Sequence, residues 1–258
     1  MTDEVVLYRT DGPVATITIN RPERRNAISA AVTAALSESL ARAEADNSVT
    51  VVVLTGTGEA FCAGGDLGAM NSEGAVAQHF MRAEIGELFR QMRKSRLPIV
   101  ARVNGHALAG GFGLMLACDL VIAGADAAMG TPEIDLGLWP FMITAVIQRD
   151  VPRKLALELM LTGRRLTASE GERWGFVNRV VEGAELDAAV AELTETLASK
   201  SPLITALGKR SFYRSEDIGF DESLEYLTGM LTVCLQSEDT AEGVSAFLDK
   251  RPPEWKGR

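Results

Sequence analysis

The chain has 258 residues, 47% apolar and 24% charged, a globular balance that fits one large domain or one domain with an appendage. Its 26 basic and 35 acidic residues leave a formal charge of −9, which argues against nucleic acid as the main partner, because that binding rests on cationic contacts to phosphate. Three cysteines without CxxC spacing and only two histidines argue against a zinc site and a disulfide framework, so Cys62, Cys118 and Cys234 are expected as buried free thiols in a reducing cytoplasm.

The N-terminal MTDEVVLYRT is acidic from the start and has neither the basic nor the apolar region of a secretion signal. No uncharged apolar run reaches the ~18 residues of a membrane span, so a soluble, cytoplasmic protein is expected. VVLYRT (5–10) and VATITI (14–19), joined by DGP, predict an antiparallel hairpin. The polar loop NRPERRN (20–26) leads to a helix over 29–46 with Ser29 as N-cap. TVVVLTG (50–56) reads as a buried strand, GEAFCAGGDLGAM (58–70) as a Gly-rich loop and 74–95 as a long amphipathic helix. LPIVARVNG (97–105) returns to strand, NGHALAGGFGLML (104–116) follows with a helix beginning near Gly110, and 118–134 holds two short strand candidates. This alternation predicts an α/β core. From about 141 onward the chain reads as helices, over 152–162, 183–199, 202–214, 220–236 and 238–249, with apolar faces that call for burial.

Several familiar sites fail on their chemistry. Gly105 and Gly110 have the spacing of a phosphate loop, but Gly111 and Phe112 stand where Lys and Ser or Thr are needed. A dinucleotide fingerprint would place its third glycine at Leu116. GxSxG is absent, and His79 and His106 each read as structural or surface residues. Two Gly-rich loops remain, FCAGGDL (61–67) and HALAGGFG (106–113), each after a strand and before a helix. Their backbone N–H groups, unobstructed by side chains, can converge as an oxyanion hole. Alternatively the glycines only permit close helix–strand packing.

NRPERRNA (20–27), AFCAGGDL (60–67), VNGHALAGGFGLMLACDLVIA (103–123) and GTPEIDLGL (130–138) resemble, in this order and separation, the enoyl-CoA hydratase/isomerase (crotonase) superfamily. LTGRRLTASEGERWGFVNRVV (161–181) and EGVSAFLDKRPPEW (242–255) extend the resemblance over essentially the whole chain. It implies an α/β fold, a spiral of ββα units over 1–197 followed by a helical trimerisation region over 198–258. It also implies a homotrimer or dimer of trimers and an acyl-CoA thioester ligand, with CoA as part of the substrate and no separate cofactor or metal. By motif, the thioester oxygen is expected to accept backbone N–H bonds from Ala63 and Gly110. Ala63, Gly64, Gly65 and Asp66 fall along the adenine end of CoA, and Leu67 is a further substrate-binding candidate. Arg24 and Arg25 fall where basic residues face the CoA phosphates, although a solvated basic loop reads equally well. Phe247 and Lys250 match a C-terminal helix that reaches the nucleotide, often that of a neighbour.

The chain also departs from the pattern. Family hydratases carry two glutamates; one position is kept as Glu133 in TPEIDLG, and the other is Gly113. Two carboxylates suit hydration, whereas one suits a proton shuttle between the α- and γ-carbons of an enoyl thioester. LGLWPFMITAV (136–146) replaces a Gly-rich segment, and Phe141 stands where dienoyl isomerases and aryl-CoA dehalogenases carry an Asp. Trp139, Phe141 and Met142 line an acyl pocket or pack in the core. Asp135 shares a face with Glu133 if the segment is extended, and bonds backbone if it is a turn. The expectation is an enzyme with Glu133 as acid/base, with isomerisation ahead of hydration. A non-catalytic CoA-binding homologue is the competing class.

Overall fold

The protein is described by a computed structural model over residues 4–69 and 74–258; Met70, at the end of the predicted Gly-rich loop, lies outside the described residues. β1 (Val6–Asp11) and β2 (Val14–Ile19) form the expected hairpin, with Val6 opposite Ile19 and Asp11 opposite Val14. A 3-10 turn over Pro22–Arg24 leads to α1 (Ala30–Ala45), where the Ser29 hydroxyl accepts the Val32 N–H at 3.3 Å as the predicted cap. Helical spacing brings Val32, Leu36, Leu40 and Ala43 of α1 into the core.

The chain then winds as a repeated unit. β3 (Val51–Gly56) and β4 (Ala60–Cys62) precede α2 (Ala75–Lys94); β5 (Ile99–Val103) and β6 (His106–Leu108) precede α3 (Gly110–Leu116); β7 (Leu120–Gly124) and β8 (Ala128–Gly130) follow. Next come a 3-10 turn over Pro132–Leu136, α4 (Thr144–Asp150), α5 (Arg153–Thr162), β9 (Arg165–Thr167), α6 (Ala168–Trp174) and β10 (Arg179–Val181). A further 3-10 turn (Gly183–Glu185) and α7 (Leu186–Ala198) lead to α8 (Pro202–Glu216), α9 (Phe220–Leu235) and α10 (Glu238–Asp249).

Each turn contributes one strand to each of two sheets. The larger runs β1-β2-β3-β5-β7-β10, parallel from β2 onward, and the smaller runs β4-β6-β8-β9. β3 is buried along its whole length, as expected of a parallel strand covered on both faces. Its alternation sorts the layers: Val52 and Leu54 enter the main core with α1, α2 and α3, while Val53 meets Leu186, Ala189 and Val190 of α7 on the opposite face. The predicted helical stretch after 141 is interrupted. β9 and β10 return to the edges of the two sheets, so the chain through Val181 contributes to them. β4, β6, β9 and β10 have three residues each, too few to show a period in sequence.

α8 is anchored on the sheet by Asp119, which accepts the Ile99 N–H, the Tyr213 hydroxyl and Lys209 Nζ, each at 2.7 Å. Of the cysteines, Cys62 and Cys118 are buried and free as expected; Cys234 is free but only half-buried. No helix among the described residues is long and apolar enough to cross a membrane.

α3 is pressed onto β4. A methyl group on Gly111 would lie 2.2 Å from the Cys62 carbonyl oxygen, and backbone cannot swing aside as a flexible side chain can. Gly111→Ala should therefore cost about 2–3 kcal/mol, in the range of overpacking substitutions. Urea unfolding of the variant should show a lowered midpoint; an unchanged midpoint would refute the close approach.

Candidate active site

The loops after β4, β6 and β8 emerge side by side, because these strands are parallel neighbours with Cys62 beside Ala107 and Leu108 beside Gly130. They border a cavity of about 600 Å³. Gly65, Gly110 and Glu133, one from each loop, line it.

Ala109 holds the second loop in a rare conformation, φ 51° and ψ −129°, at the N-terminus of α3. Hydrogen bonds on both sides impose it: the Ala109 N–H donates to Gly130 O at 2.8 Å, and its carbonyl accepts the Phe112 and Gly113 N–H groups at 2.9 and 3.2 Å. The turn frees the Gly110 N–H, which has no acceptor among the described residues. Opposite it, Gly64 adopts φ +99°, where a side chain would be strained and its Cβ would lie 2.6 Å from the Ala109 Cβ.

The first loop corrects one expectation. The Ala63 N–H already donates to Arg25 O at 3.0 Å, so it is not available to a thioester oxygen. At Gly65 the bridge to Ile28 uses the flanking groups, Gly64 O and the Asp66 N–H, and leaves the Gly65 N–H with no acceptor among the described residues. A methyl built on Gly110 would sit 3.6 Å from the Gly65 nitrogen, so the two free donors are neighbours.

The loop is braced from NRPERRNA. Asn26 is fully buried; its amide donates to Thr57 O and Ala60 O at 2.9 and 2.7 Å, and its Oδ1 accepts the Arg21 N–H at 2.9 Å. Arg21 donates to Asp66 at 2.9 Å, and this bond chiefly holds the Asp66 carboxyl below the usual carboxylate range. Asp66 lines the cavity with its charge already paired, and Leu67 lines it half-exposed. Arg24 and Arg25 are exposed and outside the cavity wall. Phe247 and Lys250 sit on α10 and at its end, also outside this wall; Phe247 borders a separate open cavity with Trp255 and Val244.

Glu133 stands on the 3-10 turn that follows β8. One carboxylate oxygen, Oε2, is buried without a hydrogen-bond partner, and burial raises its pKa above the ordinary glutamate value. Asp135 does not join it. The segment is a 3-10 turn and not extended, so Asp135 is exposed and its carboxyl lies over Gly163. Gly113 is buried, and Ile143 fills the space that a side chain there would take: a methyl would fall 2.1 Å from Ile143 Cγ2. Trp139 packs partly against the core and also lines the cavity; Phe141 is 78% exposed at the wall. His106 accepts the Ala128 N–H at 3.2 Å and His79 is exposed on α2; neither lines the cavity. Ser29 at the α1 cap, Thr33 of α1, Ile85 of α2 and Ile143 also lie in the wall. Sequence reasoning missed them as site residues, although the Ser29 cap signal marked where α1 begins. Among the described residues, no three His, Cys, Asp or Glu side chains group as metal ligands.

Two sheets wound from successive ββα turns, with α-helices closing the chain, define the crotonase fold. A family model described as enoyl-CoA hydratase/isomerase matches residues 9–258. Carnitinyl-CoA dehydratase of Proteus mirabilis is 37% identical over 258 aligned residues, covering 96% of this chain and 97% of that protein. The 2,3-dehydroadipyl-CoA hydratase of Escherichia coli is 34% identical, covering 95% and 96%. The crystal structure of an enoyl-CoA hydratase of Mycobacterium smegmatis superposes with a TM-score of 0.94 at 34% identity, over 97% of this chain and 98% of that one. The chain belongs to the enoyl-CoA hydratase/isomerase family and is an enzyme acting on acyl-CoA thioesters.

The unpartnered carboxylate has a measurable cost. Unfolded, Glu133 ionises at its ordinary value; folded, its pKa is raised. Ionisation therefore opposes folding above the raised pKa, and this penalty disappears below the ordinary value. Glu133→Gln should raise the melting temperature by about 1–3 °C at pH 7–8, with the gain fading toward pH 4. A gain that persists unchanged in acid would contradict a charge origin.

Proposed function

We propose that the protein shifts the double bond of an enoyl-CoA thioester by proton transfer through one carboxylate. The thioester oxygen accepts the Gly65 and Gly110 N–H groups. Glu133 removes an α-proton from a 3-enoyl thioester, and the electron pair moves onto the oxygen as an enolate held by those two donors. The proton then returns at the γ-carbon, giving the 2-enoyl isomer with no change in composition. The observation that carries this reading is the Glu133 Oε2, unpartnered in the same cavity as two free N–H donors. The absence of a second acid at Gly113 favours isomerisation over hydration.

Addition or removal of water is the second reading. Its support is the activity of the named relatives, dehydratase and hydratase. A water would then be held by backbone or by Glu133 alone, since Asp135 is turned away. A CoA-binding homologue without turnover has only the missing second acid in its favour.

The remaining assignments follow the same reading. CoA enters as part of the substrate, with no separate cofactor. Arg24 and Arg25 face its phosphates, the Ala63–Asp66 loop runs beside its adenine end, and Trp139 borders the acyl chain. Phe247 and Lys250 serve the nucleotide of a neighbouring subunit in a trimer or dimer of trimers. Support comes from α9, which buries none of its residues within the chain and exposes Phe220, Leu224, Leu231 and Leu235.

Incubation with 2-enoyl- and 3-enoyl-CoA of several chain lengths tests the reaction. Chromatography and mass should find the 3-enoyl substrate converted to an isomer of equal mass and the 2-enoyl substrate without added water. Water added to the 2-enoyl substrate would overturn isomerisation, and turnover of neither would favour the binding homologue. Glu133→Gln should lower kcat by about 10²–10⁴-fold. The base must be ionised to act, so kcat/KM should fall with decreasing pH at a value above the ~4.3 of an ordinary glutamate. Full activity in the variant would remove Glu133 from the mechanism.

A further inference from the structure

We infer that Ile143 sets the reaction outcome by standing where a water-activating group would enter the cavity, an inference that rests on the isomerase reading above. Gly110 and Gly113 are one helical turn apart on α3, so a side chain at 113 would project from the same face as the free Gly110 N–H. A Cβ there would lie 2.1 Å from Ile143 Cγ2 and 2.5 Å from Ile143 Cβ. Ile143 is 3% exposed, and the part of it that remains open lines the cavity that holds Glu133. The isoleucine therefore lies between Gly113 and the cavity, and the two residues interlock: the glycine makes room for the branched side chain, and the side chain closes the glycine's opening. The Ile143 side chain offers no hydrogen-bond donor or acceptor, so this position supplies no group to hold and deprotonate a water, and attack on the β-carbon needs a water held and deprotonated.

Opening this position should add a reaction. With a carboxylate there, a water oxygen bonds the β-carbon while its proton passes to the introduced group. The electron pair of the double bond moves to the thioester oxygen as an enolate, and protonated Glu133 supplies a proton to the α-carbon. Exchange of one proton between the two carboxyl groups resets the site, and the net change is one water added.

The experiment compares the wild type, Gly113→Glu, Ile143→Ala and the double variant Gly113→Glu/Ile143→Ala. Thermal melting and both enoyl-CoA substrates are the readouts. Gly113→Glu alone should melt well below the wild type and hydrate poorly. The double variant should recover melting temperature relative to Gly113→Glu and add water to 2-enoyl-CoA at least tenfold faster than either single variant. A double variant that melts no higher than Gly113→Glu would show that Ile143 is not what occupies the position. A double variant that recovers melting and binds 2-enoyl-CoA, yet hydrates no faster than the single variants, would overturn Ile143 as the determinant. Failure of the isomerase reading itself is seen separately, as water addition by the wild type.

Discussion

The structure depends on the close approach of the α3 N-terminus to the loop after β4. Gly111 rests against the Cys62 carbonyl and Gly64 against Ala109, contacts that no larger residue could make without moving backbone. The approach forces Ala109 and Gly64 into positive φ, and each is held by bonds or packing from a different turn of the spiral. At Ala109 such a conformation costs of the order of 1–3 kcal/mol and persists only where surroundings impose it, whereas Gly64 adopts it without that strain. Its result is two backbone N–H groups, Gly65 and Gly110, side by side without acceptors among the described residues. A preorganised pair of donors of this kind stabilises developing negative charge without having to reorganise.

The spiral explains why these groups meet. Each ββα turn lays its short strand beside the previous one in the smaller sheet, so β4, β6 and β8 end at a common edge. The residues just beyond those ends are Gly65, Gly110 and the turn bearing Glu133. The third arrives partly stripped of water with one oxygen unpaired. The burial that opposes folding when Glu133 is ionised also raises its affinity for a proton. Stability lost and basicity gained are two effects of one desolvation.

The C-terminal helices follow a different logic. α8 is tied to the spiral by the Asp119, Lys209 and Tyr213 cluster, whereas α9 presents apolar residues outward along its length. Only one stripe of α9 (Ser223, Tyr226, Met230 and Cys234) is half-buried within the chain, and a helix whose other apolar face stays open is incomplete as a folding unit. That is the physical basis for reading this part of the chain as an assembly surface.

Much of this was legible in the residues. The hairpin, α1 with its Ser29 cap, the buried β3 and the long C-terminal helices rest on local periodicity and capping, which act within a few residues. The Gly-rich loops and Glu133 marked the site and the family through motifs. Long-range contacts decided the rest. Which N–H of FCAGGDL is free depends on Arg25 taking the one at Ala63 and Ile28 bridging around Gly65, pairings that no local rule contains. Strands of three residues carry no period, so β4, β6, β9 and β10 formed only through their neighbours. Asp135 left the site because its segment curled into a 3-10 turn. Ile143 reached Gly113 because α3 and the segment leading into α4 pack together. Local chemistry thus determined which elements and reactive groups the protein has. The tertiary structure decided which of those groups remain unbonded in the cavity, because that depends on what arrives from elsewhere in the chain.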